Sequence, residues 1–397
     1  MKIAVIGTSN SVMKGGYVGA LRASHDVTNF SSGRVPYYAH VKTLLKNEEQ
    51  LRQFDLIILD HYINDVNYYV SRMPDSYAER LVDFYALLAR LKVPVLNIVF
   101  PIVNLSLSKS YWYYEKVKHL SERFDFFTLD LNLVLFEPSM YKDSIHLKKE
   151  VSYYFGCWLA GEICFIKWSI PKGIKSREGV FSLLGEEYLR LQSGVEEYSF
   201  SNSLMELNCF LLKETLTLPN SGEIVSFGYF NSKESESLHG FTVNGTPYAL
   251  FGSLYYHEAL SSSGGEVILE PLFGLNDGVP YLHGRGAFKG TVSGYFDYPT
   301  VTEFLFHDGS HPGEELPSGQ GFLIDLSKFA SDVAHIFSFS AISIPAETID
   351  YLRDLAIANE RSDLECSYKL MTVAATFRPG GVGIQKKLAQ YKTNLRG

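Results

Sequence analysis

Four short apolar runs, separated by stretches of helical periodicity, set the strongest limit on what the first 170 residues can become. Ile3-Ala4-Val5-Ile6 opens the series, followed by Phe54 to Asp60, Val93 to Val99 and Phe126 to Leu131. Each run is mainly apolar rather than alternating, the pattern of strands buried on both faces of a parallel sheet. Between them, Asp75 to Leu91 places Leu81, Phe84, Tyr85, Leu88 and Leu91 on one face, and Ser110 to Arg123 and Lys148 to Lys167 also read as helices. Parallel strands need crossover connections, so this βα alternation implies an α/β unit with helices on both faces of the sheet. Ligands of such sheets sit outside the carboxyl ends of the strands. Chemistry is therefore expected in the loops that follow strands.

The pattern changes after about residue 170. Pro171 to Ser176 reads as a linker and Phe181 to Gln192 as a connecting helix. From Glu197 to Ser343, short β-prone runs are punctuated by turns, among them Ile224 to Phe230, Phe241 to Val243, Val267 to Leu269 and Phe322 to Ile324. Asn244-Gly245 between two such runs is a hairpin signal, because both residues tolerate the positive φ of a type I′ turn. Ala346 to Asn359 reads as a late helix. The expected organisation is an α/β unit over 1–170, a connecting segment over 171–196, and a β-rich domain of sandwich or jelly-roll type over 197–397 with a late helix and a basic tail.

Composition removes several function classes. A net charge of −8 offers no basic face to neutralise phosphates, which argues against a nucleic-acid partner. The basic cluster from Lys386 to Arg396 reads as a solvated helix end, with at most weak peripheral contact to a membrane or partner. Val151 to Trp168 is the nearest approach to a spanning segment. Glu162 and Lys167 interrupt it, and it falls short of the roughly 20 apolar residues that cross a bilayer. Met1-Lys2 runs directly into the opening strand without a leader-like apolar core, so the expected location is the cytoplasm. The 4 cysteines show no CxxC spacing, which argues against a zinc site or a disulfide framework. Tyr and Phe number 26 and 27, an abundance that suits sheet interiors and also sugar-stacking surfaces.

Three loops carry reactive residues. Gly7-Thr8-Ser9-Asn10-Ser11 follows the first strand, where a serine enters the crevice and Gly7 permits a tight exit. Asp60-His61-Tyr62-Ile63-Asn64-Asp65 follows the second apolar run, and the Asn64 amide there is suited to donate to a developing oxyanion. Asp143-Ser144-Ile145-His146 lies in the last loop before the closing helix, a spacing that lets the acid buttress the imidazole. Each has an ordinary reading as well: a capping serine, an Asn-Asp turn, an incidental Asp-x-x-His. Asp60, His61 and Asp65 also raise the idea of a metal site, but no further ligand cluster completes one, and none is expected. Strand alternation is expected to turn His61 away from the crevice.

Taken together, Gly7-Thr8-Ser9, Tyr62-Ile63-Asn64-Asp65 and Asp143-Ser144-Ile145-His146 resemble the first, third and fifth conserved blocks of the SGNH, or GDSL, hydrolases, over about residues 1 to 168. The resemblance implies Ser9 as nucleophile, His146 as general base, and Asp143 as the group that orients the imidazole. The backbone N–H groups of Ser9 and Gly33, with the Asn64 side chain, are implied as the oxyanion hole. Gly33 enters through the looser match of Asn29 to Gly33 to the second block. Thr8 stands where the family usually has Asp, and Tyr62 where it usually has Gly; Tyr62 is expected at the crevice edge, narrowing it or stacking on a sugar. Ser11 competes with Ser9 as nucleophile, and register favours Ser9.

The resemblance implies acyl transfer without choosing the acceptor: water makes an O-acetyl esterase, a sugar hydroxyl an O-acetyltransferase with acetyl-CoA as donor. An aromatic-rich β domain beside the catalytic unit leans toward a carbohydrate, such as a surface polysaccharide. The alternative is a non-enzymatic glycan-binding or scaffold protein on the same frame, although the reactive positions are all present. A nucleotide-binding domain ranks last, since Gly7 to Asn10 lacks both G-x-G-x-x-G spacing and a P-loop lysine.

Overall fold

A computed structural model describes all residues except 34, 71–72, 104–110, 135, 174–178, 202–205, 220–221, 232–239, 250–253, 260–266, 273–297, 311–315, 338–345, 379 and 396–397. The α/β half runs β1 (Lys2–Gly7), α1 (Ser9–Val12), α2 (Tyr17–Leu21), β2 (Asp26–Asn29), α3 (Tyr37–Lys46), α4 (Glu48–Leu51), β3 (Leu56–Asp60), α5 (Tyr62–Asn64), α6 (Asp75–Glu79), α7 (Leu81–Arg90), β4 (Val95–Val99), α8 (Tyr111–Arg123), β5 (Phe127–Asp130) and α9 (Lys149–Glu162). All residues of β3 and β4 are buried, as their apolar runs require of central strands. β2 is an edge strand and only partly buried, which explains why it lacks an apolar run.

The β-rich half continues with β6 (Phe181–Leu184), α10 (Glu186–Arg190), β7 (Val195–Ser201), β8 (Glu206–Leu212), β9 (Leu216–Leu218), β10 (Glu223–Asn231), β11 (Gly240–Val243), β12 (Thr246–Ala249), β13 (Leu254–Ala259), β14 (Val267–Leu272), β15 (Thr300–Val301) and β16 (Glu303–His307). Then come β17 (Phe322–Leu323), α11 (Ser327–Phe337), α12 (Ala346–Asn359), α13 (Leu364–Phe377) and α14 (Val382–Asn394). The first sheet has the order β17-β5-β4-β3-β1-β2, with every described pairing parallel. The chain winds outward from β1 in both directions, so the order reverses between β1 and β3, and the loops after these two strands flank one crevice.

Two helix groups flank this sheet. α2 meets α9 so closely that a Cβ on Gly156 would stand 2.4 Å from the Tyr17 carbonyl oxygen. Elsewhere α3 meets α7 through Tyr37 and Phe84, with ring centroids 5.5 Å apart. The remaining strands form antiparallel sheets in the orders β13-β10-β16-β6, β12-β11-β14-β9 and β15-β8-β7. Phe210, Phe227, Phe241 and Phe304 come from different strands and share one buried cluster. Asn244 and Gly245 have φ of 50° and 79°, the positive values that the β11–β12 hairpin requires.

Three elements depart from the sequence reading. Phe181 to Leu184 is a strand paired with β16, not the start of a connecting helix, because β16 offers it an antiparallel ladder. Phe322–Leu323 leaves the β-rich half and adds to the first sheet beside β5, with the Phe322 ring stacked on Phe127 at 4.7 Å. α11 follows it back, burying Phe329 against Trp158. The end of the chain is a helical cluster, α12 to α14, around Ala356, Met371, Ile384 and Tyr391. The basic tail is not merely solvated: Lys387 pairs with Glu360 at 2.7 Å, Gln385 accepts from Tyr153, and Lys392 donates to Ser24.

The two halves meet across polar contacts. Lys42 on α3 pairs with Glu303 at 2.8 Å, Arg80 with Glu223 at 2.5 Å, and His307 with Asp83 at 3.1 Å. His307 is therefore buried against α7. His239, His283 and His311 lie outside the described residues, and His257 lies in β13.

Candidate active site

β1 delivers the chain to Gly7, and Thr8 is still extended, with φ −108° and ψ −151°. The chain then turns at once into α1, with Ser11 and Val12 N–H groups donating to the Thr8 carbonyl. This places Ser9 at the first helical position, partly exposed at the carboxyl end of the sheet. Ser11, on the same turn, is buried with its hydroxyl 2.8 Å from Asp60 and 2.6 Å from Tyr17. The two candidate nucleophiles are thus separated by access as well as by register.

The loop from Met140 to Lys148 is closed by backbone bonds, Lys142 N–H to the His146 carbonyl and Lys148 N–H to the Met140 carbonyl, each 2.8 Å. Ile145 anchors it in the core, and the Val103 N–H donates to the Ser144 carbonyl. Inside the loop, Asp143 Oδ1 accepts from the N–H groups of Ile145 and His146 at 3.0 Å each, the local turn chemistry of an Asp side chain. His146 Nδ1 is 2.8 Å from both carboxylate oxygens, and Nε2 is 2.6 Å from Ser9 Oγ. An ionised carboxylate only accepts, so Nδ1 carries the ring proton and Nε2 turns its lone pair to the serine hydroxyl. Partial burial pushes the Asp143 carboxyl up. The Ile145 N–H, the imidazole and the His146 N–H outweigh it and hold the group below the usual carboxylate range.

Asn64 ends α5 and is 1% exposed, with Nδ2 donating to the Val35 carbonyl at 3.3 Å. The next residue, Asp65, starts a π-helical turn and binds four groups. It accepts from Tyr37 N–H (3.0 Å), Tyr77 OH (2.5 Å), Tyr113 OH (3.1 Å) and His61 Nδ1 (2.9 Å). The segment carrying Gly33 lies beside the nucleophile turn: Ser32 N–H donates to the Gly7 carbonyl, Asn29 Nδ2 donates to the Ser11 carbonyl, and a Gly33 Cβ would meet Val12 at 3.6 Å.

Tyr62 corrects the sequence reading. It is fully buried, with its ring against Tyr114 at 5.9 Å, so it is a wall residue and not a stacking surface. The cause is that the strand ends at Asp60 and a helical turn swings the Tyr62 ring inward. Asp60 faces Thr8 and Ser11, whereas His61 and Asp65 face each other, so these three side chains do not converge on a common point. Among the described residues, no three His, Cys, Asp or Glu side chains are grouped to hold a metal ion, and no helix is long and apolar enough to cross a membrane.

The sequence reading passed over two residues. Asn10, 1% exposed, donates to the Ile145 carbonyl at 3.4 Å and so bridges the serine turn to the histidine loop. Tyr114 donates to Asp130 at 2.5 Å and links Tyr62 to the half-exposed Tyr111, whose ring is 5.5 Å away. No motif marks either residue; they become visible only through contacts between distant segments.

No protein-family model matches the sequence, and no curated protein does. Solved structures similar to this chain include an acetyl xylan esterase, 15% identical, covering 42% of this chain and 98% of its own with a TM-score of 0.34. A carbohydrate acetylesterase from Sinorhizobium meliloti is 15% identical, with coverages of 41% and 98% and a TM-score of 0.33. A member of the lipolytic G-D-S-L family from Veillonella parvula is 17% identical, with coverages of 41% and 97% and a TM-score of 0.34.

Proposed function

We propose that this chain is a serine-dependent acyl-transfer enzyme acting on an O-acylated carbohydrate. The observation that carries the reading is the unbroken line from Asp143 through His146 to a partly exposed Ser9, with a serine–imidazole distance of 2.6 Å. Ser9 Oγ attacks the acyl carbon while His146 Nε2 takes its proton. The oxyanion that forms is held by the Asn64 amide and the backbone N–H groups of Ser9 and Gly33. Collapse breaks the acyl C–O bond of an ester donor, or the acyl C–S bond of acetyl-CoA, and His146 returns the proton to the leaving alkoxide or thiolate. Water or a sugar hydroxyl then attacks the acyl-serine, with His146 again as base, and frees Ser9. Asp143 holds the tautomer and stabilises the imidazolium throughout.

A sugar substrate is supported by the aromatic ladder from Tyr62 through Tyr114 to the half-exposed Tyr111, beside which α8 also exposes half of Trp112. The acceptor divides an O-acetyl esterase from an O-acetyltransferase fed by acetyl-CoA, with a surface polysaccharide or its precursor as the target. The test is reaction of the protein with p-nitrophenyl acetate and a fluorophosphonate probe, wild type beside Ser9→Ala. Labelling and turnover that vanish in the variant are expected; an unlabelled wild type defeats the reading. Acylated glycans and acetyl-CoA, added in turn, then distinguish hydrolysis from transfer.

A further inference from the structure

Asp60 ends β3 directly beside Gly7, its parallel neighbour in β1, and is 1% exposed. Its carboxylate collects the hydrogens of the turn that presents the nucleophile. Thr8 N–H donates to Oδ2 at 3.3 Å, Thr8 Oγ1 lies 3.2 and 3.3 Å from the two oxygens, and Ser11 Oγ donates to Oδ2 at 2.8 Å. Because the Ser11 hydrogen is given to Asp60, the Tyr17 hydroxyl, 2.6 Å from Ser11, donates to Ser11 in turn. Tyr17 N–H donates to Ser152 Oγ at 3.1 Å, on the helix that begins three residues after His146. The path therefore runs from the serine turn through α2 to the element that follows the histidine loop, entirely through buried groups.

The packing has been shaped around this path. A Cβ on Gly7 would fall 2.1 Å from Ser11 Oγ and 3.1 Å from Asp60 Cβ, so the glycine makes room for the Ser11–Asp60 contact. Burying a carboxylate is costly, and burial pushes the Asp60 carboxyl up against the pull of Ser11 and Thr8. An apolar side chain would avoid that cost if the site needed only to be filled. What an acceptor-only group supplies is the capacity to take both hydroxyls and the amide at once; an amide side chain would turn an N–H against one of them.

We propose that Asp60 is a positioning residue for the acyl-transfer step, fixing the Thr8–Ser11 turn so that Ser9 Oγ stays on the lone pair of His146 Nε2. This rests on the reading of Ser9 as the nucleophile. Asp60 touches no reacting atom; it acts through Thr8 and Ser11. Near-isosteric Asp60→Asn opposes a donor to the turn, Ser11→Ala removes one donor and breaks the path to Tyr17, and Thr8→Val removes a single hydroxyl.

The measurement is the rate of fluorophosphonate labelling together with kcat and KM on p-nitrophenyl acetate, at a temperature where circular dichroism shows each variant folded. For Asp60→Asn, labelling and kcat should fall about 10- to 100-fold with KM held within about twofold, the signature of a misplaced nucleophile. Ser11→Ala should fall in the same direction by less, and Thr8→Val least. If Asp60→Asn does not fold, the other two variants carry the test. Folded variants that label at the wild-type rate and lose only thermal stability overturn this inference alone. An unlabelled wild type overturns the Ser9 reading and this inference with it.

Discussion

Asp143–His146 and Asp65–His61 are both carboxylate–imidazole pairs, with Nδ1 to oxygen distances of 2.8 and 2.9 Å, and both lie in segments that follow strands of the same sheet. Their surroundings diverge. His146 is 20% exposed and its Nε2 faces a serine hydroxyl that substrate can approach. His61 and Asp65 are both wholly buried, and His61 Nε2 faces the Tyr85 hydroxyl at 3.2 Å. Tyr85 is in turn bonded by Asn97 at 3.0 Å, and burial pushes Tyr85, Tyr77 and Tyr113 well up, so all three phenols keep their protons as donors. In the first pair the last atom of the relay is left available; in the second every proton is already assigned. A carboxylate–imidazole pair is thus fixed as a scaffold or left able to act as a base according to what its far nitrogen meets; under the proposed function the chain holds one of each, with Asn64 directly beside the scaffold.

The comparison is sharpened most by exchanging the same change between the pairs. Asp143→Asn should lower kcat about 10²- to 10⁴-fold by losing the useful tautomer, while the unfolding temperature stays within a few degrees, since the group is half exposed. Asp65→Asn, which leaves His61, Tyr77 and Tyr113 crowded on a group that also donates, should show the reverse balance. Breaking a buried pair costs about 3–5 kcal/mol, read as a fall in the denaturant midpoint that outweighs the loss of turnover per folded molecule. A stability loss confined to Asp143→Asn would break the distinction. The pH response follows from the same contacts. The Asp143 carboxyl is held below the usual carboxylate range, so its bond to His146 is complete above the ordinary carboxylate pKa. That bond fails only as pH falls through the lowered value. Titrating Asp143 by carbon-detected NMR checks this.

How much of this was legible depended on how local each feature is. Ser9 after a strand and Asp143 with His146 three residues on are short-range patterns, and the apolar runs Leu56 to Leu59 and Val95 to Val99 declare central strands by themselves. The half-exposed β2 declares nothing, and Phe181 to Leu184 fits a helix or a strand until β16 supplies its ladder. The placement of β17 beside β5 joins residues nearly two hundred positions apart, and no local pattern encodes which sheet a strand will extend. Tyr62 was read from the family's glycine position at the crevice edge, whereas here the chain turns helical after Asp60 and buries the ring. Asp60 itself drew notice only as a doubtful metal ligand, since its partners Thr8 and Ser11 lie some fifty residues away.

The smallest expected effect tests where substrate leaves the crevice. Tyr62 and Tyr114 are packed inward, so any stacking falls to the start of α8, where Tyr111 and Trp112 are 46% and 47% exposed. An exposed ring meeting a sugar contributes little more than the area it covers, so Trp112→Ala should raise KM for an acetylated oligosaccharide by about three- to tenfold. The acetyl group of p-nitrophenyl acetate does not extend that far, and its KM should change less. Equal effects on both substrates would place Trp112 in the support of α8 rather than on the path of the glycan.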